Sequence, residues 1–273
     1  MDGDIPNALP DGRHTVTDPD TGAVRRVYGL RGGMLDGVLE EYDPAGALLH
    51  SYTYAAGVLH GPAVAYDGGR VASRMMFVNG KLEGEAAYFD SLGRPSATVT
   101  FRDGRKDGPC TVYTEGRPSQ RMTFVADVVE GEVIALAPDG SPQASIPHAG
   151  GVPQGTALYR TAEGAPARQE GFQAGVRDGE AVDFYPNGAL LERRFYKAGV
   201  PEGPAITYHL NGRPQDVKVF AGGALTARAI FDDAGTCLIR QGDTAALDAV
   251  LASATPAADP PAKAPLWRRL LGG

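Results

Sequence analysis

Gly179-Glu-Ala-Val-Asp-Phe184-Tyr-Pro-Asn-Gly188-Ala-Leu-Leu-Glu-Arg-Arg-Phe-Tyr196-Lys-Ala-Gly199-Val-Pro-Glu-Gly203 reads as one β-hairpin and the start of the next. Glu180 to Phe184 alternates Val182 and Phe184 with Ala181 and Asp183, the period-2 signature of a strand. In Tyr185-Pro-Asn-Gly188, proline presets the first corner and Asn187-Gly188 supplies residues that tolerate positive φ. Leu190 to Tyr196 is the return strand, and Gly199 to Gly203 turns the chain into the next unit. Two strands and two turns in 24 residues make one hairpin, and hairpins laid side by side make a meander.

Outward from this stretch the pattern repeats eight times as an aromatic, a glycine three positions on, and a second glycine four positions after that. The copies begin Tyr54, Gly57, Gly61; Phe77, Gly80, Gly84; and Phe101, Gly104, Gly108. Phe124, Asp127, Gly131 and His148, Gly151, Gly155 are imperfect. Phe172, Gly175, Gly179; Tyr196, Gly199, Gly203; and Phe220, Gly223, Ala227 complete the set. A spacing of 23 or 24 residues throughout marks a repeat architecture. The predicted fold is all-β, an elongated antiparallel meander of hairpins over residues 22–235. A lead-in (1–21) precedes it. A closing strand and short helix (236–254) and a flexible linker and tail (255–273) follow.

Stacking such hairpins predicts two aromatic columns. One runs Tyr42, Tyr66, Phe89, Tyr113, Phe184 and Tyr208; the other runs Tyr54, Phe77, Phe101, Phe124, Phe172, Tyr196 and Phe220. A small-residue face lies between them: Ala63, Ala86, Cys110, Ala157, Ala181 and Ala205. It lets the sheet curl or another layer approach. A polar residue precedes the last glycine of each second turn: Asp36, His60, Glu83, Asp107, Glu130, Gln154, Asp178 and Glu202. These side chains either accept hydrogen bonds from turn amides or form an acidic ladder for a basic partner.

The pattern weakens near 136–160. Leu136, His148 and Arg160 stand where other copies carry aromatics, and Pro142 and Pro147 each remove a ladder hydrogen bond. This region is a waist between more regular halves or a partner contact, so His148 and Arg160 are candidate binding residues. Farther on, Asp243 is an N-cap candidate for a helix to Ser253 with Leu247, Val250 and Leu251 as its apolar stripe, laid over the last sheet edge. The proline-rich stretch 255–265 is a linker by composition. It carries Leu266-Trp267-Arg268-Arg269-Leu270-Leu271, and Trp267, Arg268, Arg269, Leu270 and Leu271 are the other candidate partner-binding residues.

A net charge of −7 gives no electrostatic footprint for nucleic acid. The two cysteines fall in distant repeats, which argues against a disulfide and for a reducing compartment. No signal peptide or membrane-spanning run is visible, so a cytoplasmic location is expected. The five histidines are scattered, and no nucleophile elbow or phosphate loop is present. The expectation is a non-catalytic protein needing no metal or cofactor.

The phase of aromatic, glycine and glycine, with a second aromatic five residues after the last glycine, resembles the MORN repeat. It resembles more closely the bacterial MORN-variant proteins grouped as YwqK-family antitoxins. The resemblance covers roughly 22–235, with departures at Asp127, His148, Arg160 and Ala227. It implies the elongated meander, no intrinsic catalysis and a protein-binding role, scaffold or antitoxin, with a toxin as partner in the latter case. The MORN name also implies an alternative, association with a membrane surface.

Overall fold

The computed structural model describes residues 9–253, which form 23 strands and one helix. Strand pairs are antiparallel and join neighbours in sequence, as a meander requires. Two compact units are present. The first ends at Gly131 and also takes in Pro138–Gly140; the second comprises Glu132–Ala137 and the chain from Ser141 onward.

Each repeat uses two kinds of turn. The second turn is a two-residue hairpin with positive φ at both central positions, as in Ala56-Gly57, Asn79-Gly80, Asp103-Gly104, Ala198-Gly199 and Gly222-Gly223. That is the mark of a type I′ turn, whose twist matches the strands it joins. The first turn is usually a three-residue loop closed by a left-handed glycine. At Tyr185 the amide donates to the Ala189 carbonyl (2.8 Å) and the Gly188 amide donates back to Tyr185 (2.8 Å). Only Gly188 of the Asn-Gly pair has positive φ. Asn187 acts instead through its side chain, whose Oδ1 accepts the Ala189 amide at 3.0 Å. Asp43, Asp90 and Asn211 hold their loops in the same way.

The alternation between 23 and 24 residues has a local cause. The two 23-residue intervals, Gly57 to Gly80 and Gly104 to Asp127, contain the two-residue turns Gly68-Gly69 and Glu115-Gly116 in place of the three-residue loop. Length varies at the first turn only. The second turn is fixed by its neighbours, because its tip amides bond outside their own hairpin. Gly57 donates to Leu35 O (2.7 Å), Gly80 to Leu59 O (2.7 Å) and Gly104 to Leu82 O (2.9 Å) in the first unit. Gly175, Gly199 and Gly223 donate to Pro153, Arg177 and Pro201 in the second.

The polar residue before the last glycine captures the other tip amide of the following repeat. Glu83 accepts from Asp103 (2.9 Å), Gln154 from Ala174 (2.8 Å), Asp178 from Ala198 (2.9 Å) and Glu202 from Gly222 (2.6 Å). His60 Nδ1 faces the Asn79 amide at 3.4 Å. These polar side chains cap the turns of the next repeat. At Asp127, which replaces the usual glycine, the amide still donates to Lys106 O (2.8 Å) and the carboxylate accepts the Lys106 amide (2.8 Å).

The lead-in contains more structure than its composition suggests. Gly12–Thr17 pairs with Val24–Arg31, and Leu9 packs with Tyr28, Leu30 and Leu39. Asp11 accepts the Gly33 amide (3.3 Å), so it plays for the first turn the role the polar residues play later.

The small residues, more than the aromatics, are the most deeply buried. Ala86, Ala157 and Ala181 are at most 1 % exposed, whereas most of the aromatics are only half-buried. Register explains this. Ala63 is flanked by Tyr52 and Met75, Cys110 by Val99 and Met122, and Ala181 by Glu170 and Arg194. Long side chains on both neighbouring strands close over each small one, which gives a single layer a covered face without a second layer.

Thr244–Ser253 is the helix, and Asp243 Oδ1 accepts the amides of Ala245 and Ala246 as its N-cap. Leu247 is fully buried against Ile206, Tyr208, Val217, Ala227 and Ala229, with Val250 and Leu251 beside it. The helix therefore lies on the face of Pro214–Ala221 and Ala224–Phe231 and does not cover the sheet edge. Its apolar stripe needs an apolar surface, and an edge offers polar backbone. The closing strand Cys237–Gly242 stays exposed at every residue.

Two outcomes follow. Ala198 holds φ 48°, a left-handed strain that glycine relieves, so Ala198→Gly raises stability by about 1 kcal/mol or less. A Cβ on Gly171 would lie 2.3 Å from the Asp178 carbonyl oxygen, so Gly171→Ala lowers stability by about 2 kcal/mol. Urea unfolding midpoints at unchanged slope check both signs. The acid limb supplies another test. The Arg94 amide and guanidinium hold the Asp90 carboxyl below its usual value, and the Thr236 amide does the same for Asp232. A depressed folded pKa contributes stability above about pH 4 that is lost as pH falls through the folded value. Asp90→Asn keeps an acceptor and removes the proton uptake, so the slope of stability against pH below 4 becomes shallower.

Candidate interaction surface

Two residues before the second-strand aromatic, the first unit carries Tyr52, Met75, Val99 and Met122. At the same phase the second unit carries Glu170, Arg194 and Lys218, and two residues earlier Arg168, Glu192 and Asp216. Direct cross-strand pairing puts these on one face: Arg168 opposite Asp183, Asp183 opposite Glu192, and Glu170 and Arg194 on either side of Ala181. Lys218 faces Ala205 and Arg228. An apolar face in one unit is thus an ionic face in the other.

Among the described residues Glu170 is the buried charged side chain, at 3 % exposure. Its carboxylate meets Arg168 Nη2 at 2.9 Å and Arg177 Nε at 2.5 Å. Arg194 bridges Asp183 and Glu192 at 2.6 Å each. Asp216 takes a two-pronged contact from Arg228 (3.0 and 2.9 Å) and Lys218 Nζ at 3.0 Å. Burial pushes the Asp216 carboxyl up, and the hydrogen bonds and charges of Arg228 and Lys218 outweigh it, leaving the pKa below the usual carboxylate value. These charges serve one another, so the ionic face is a cover for Ala157, Ala181 and Ala205.

The turn edge presents a different surface. The residue after each second-turn glycine is aliphatic in Met34, Val58, Val152, Val176 and Val200. Val152, Val176 and Val200 are 41 %, 48 % and 45 % exposed. Each row is built by the turns: Val152 Cβ would touch a Cβ on Gly175 at 3.5 Å, and Val200 Cβ one on Gly223 at 3.6 Å. Those distances are ordinary van der Waals contact, so each aliphatic side chain lies against the turn of the next repeat. In the second unit this row shares its turns with the caps Asp178 and Glu202, so apolar and acidic groups run side by side along one edge. Equivalent residues recur about every 10 Å.

His148 and Arg160 are not brought together. His148 pairs with Pro153 and donates from Nδ1 to the Ile146 carbonyl at 2.9 Å. Ala144 faces Tyr159, so Arg160 stands at the other end of this pair, about 17 Å along the strand. Its buried Nη1 has no hydrogen-bond partner among the described residues. Trp267, Arg268, Arg269, Leu270 and Leu271 lie outside the described residues. The ionic face went unnoticed in the sequence, although its signal is there: one phase of the repeat turns from apolar to charged after Ile146.

Among the described residues no three His, Cys, Asp or Glu side chains converge as metal ligands, and no helix is long and apolar enough to cross a membrane. Both cysteines are free; Cys110 is buried, which raises its thiol pKa.

No protein-family model matches the chain, and no curated protein matches it. Solved structures with similarity include S. aureus TarM in complex with fondaparinux, α-GlcNAc-glycerol and UDP. The identity there is 14 %, over 40 % of this chain and 19 % of that one, with a TM-score of 0.21. A porin-like protein from Bacteroides uniformis is 10 % identical over 80 % and 95 % of the two chains, at 0.19. The Photorhabdus luminescens Tc holotoxin pore is 13 % identical over 80 % and 15 %, at 0.21. Likeness at these scores carries no argument about fold or activity.

The two kinds of ion pair should separate in stability. Glu170→Ala leaves Arg168 and Arg177 facing each other in a covered site and costs about 2 kcal/mol after allowing for their partial exposure. Glu180 forms an ion pair with Arg193 in which both side chains are more than 40 % exposed, and Glu180→Ala costs less than about 1 kcal/mol. Denaturant midpoints of the two variants give the comparison.

Proposed function

We propose that this protein is a non-catalytic interaction module that binds another protein along the turn edge of its second unit. The observation that supports this reading is the row Val152, Val176 and Val200. These aliphatic side chains are held half-exposed at a fixed spacing, and the turns before Val176 and Val200 have both tip amides accepted. Exposed apolar side chains in a regular row, beside charged groups, are what a partner surface requires. The caps Asp178 and Glu202 add an acidic margin, so the partner's matching surface is apolar with basic residues. The resemblance to MORN-variant antitoxins suggests a toxin as that partner, and a scaffold role uses the same surface.

The test is a pair of substitutions that leaves the turns intact. Val176→Glu with Val200→Glu changes two exposed side chains and should leave the thermal midpoint within about 2 °C, since surface changes of this kind stay near ±0.5 kcal/mol. The wild-type chain should retain from its source cells a protein that co-elutes at fixed stoichiometry in gel filtration, and the double variant should lose it. Retention of the same protein by the variant would rule out this edge. Sedimentation of wild type, but not variant, with anionic vesicles would replace the protein partner by a membrane surface.

A further inference from the structure

On the face that carries the helix, the second unit has a cavity of about 250 Å³ lined by Arg193, Phe195, Ile206, Tyr208, Val250 and Ser253. Arg193 and Ile206 are directly paired across strands, so they line it from the same face. The Arg193 guanidinium lies 5.2 Å from the Phe195 ring centroid and is held from the other side by Glu180. Ile206 and Tyr208 are buried at the base, and Val250 closes one wall from the helix. The space corresponds to the liquid volume of about eight waters, yet the side chains around it are mostly aromatic and aliphatic. The surface they leave open is about equally polar and apolar, so the hollow suits an occupant that offers both, as an indole does.

The rim residue Ser253 is also the last described residue, so the chain leaves the fold at the mouth of this cavity. Thirteen residues separate it from Trp267, the only tryptophan in the sequence. Fully extended, that segment reaches about 45 Å, far more than a return to the cavity needs. A loop of this size costs little more to close than a shorter one. An indole suits the lining, since a guanidinium and an aromatic ring are both groups on which it stacks.

We propose that Trp267 of the same chain occupies this cavity, so that the Leu266–Leu271 segment is docked on the helix-bearing face of the second unit. The inference goes beyond the turn-edge reading and uses a different surface.

A single tryptophan makes the test direct. In the full-length chain, indole emission should be blue-shifted from that of N-acetyl-tryptophanamide and resist acrylamide quenching several-fold, at all protein concentrations. Phe195→Ala removes one wall, and Ser253→Phe fills the mouth from an exposed position. Each should return emission and quenching to solvent values while the circular dichroism spectrum stays native. Solvent-like emission in the wild-type chain would overturn the proposal. So would a blue shift that both variants keep, which places Trp267 elsewhere. A shift that grows with protein concentration overturns docking within one chain in favour of docking between copies.

Discussion

A type I′ turn leaves two tip amides pointing away from its own hairpin, and everything else in these repeats follows from where those amides go. One is accepted by a backbone carbonyl of the preceding repeat, and behind Glu83, Gln154, Asp178 and Glu202 the other is accepted by that polar side chain. The tips are exposed, so each bond is worth about 1 kcal/mol over water, and the two together favour one placement of both acceptors. The second turn is thereby locked in length and conformation. Additions and deletions are confined to the first turn, where a loop of two or three residues is tolerated.

Within that frame the two units solve the problem of a single-layer sheet differently. The first closes Tyr52, Met75, Val99 and Met122 over a column of small residues and obtains an apolar face. The second uses the long arms of Glu170, Arg194 and Lys218 over alanines at the same phase, and the aliphatic stems do the covering while the charged ends pair. Its apolar residues Ile206, Val217 and Ala229 lie on the other face, where the helix covers them. The ionic side contributes less per residue than burial does, because charged groups gain little over water. What it provides is a face that stays polar outside and closed inside.

Much of this was legible in the residues. Glycine phase marked both turns, because positive φ leaves few alternatives, and Asp243 with Leu247, Val250 and Leu251 marked the helix. The capping role of Glu83, Asp178 and Glu202 was one of two open readings, since a carboxylate in a turn looks the same whether its partner lies in its own repeat or the next. Other features were hidden for stated reasons. The strand Gly12–Thr17 has little apolar alternation and forms because Val24–Arg31 offers it an edge. The ionic network depends on cross-strand register, which bulges at Glu170 and Arg194 shift, so neighbours such as Arg168 and Asp183 are not evident from spacing. The apolar stripe of the helix says what surface it needs and not where that surface lies, so the sequence alone does not separate the sheet edge from the sheet face.

The tip amides of the second turns run their hydrogen bonds in one direction, whereas first-turn side chains such as Tyr185 and Asn211 donate forward to carbonyls of the next repeat. Each tip donates backward, toward residues about 20 to 22 positions earlier, and Asp11 supplies the acceptor for the first of them. A repeat therefore requires its predecessor but not its successor to complete its second turn. Chain synthesis proceeds in the same sense, so every turn emerges from the ribosome after the groups that receive its amides. A hairpin can close on an existing template as it appears, and loss of the last repeat leaves its neighbour's second turn intact, whereas loss of the first strips acceptors from the next.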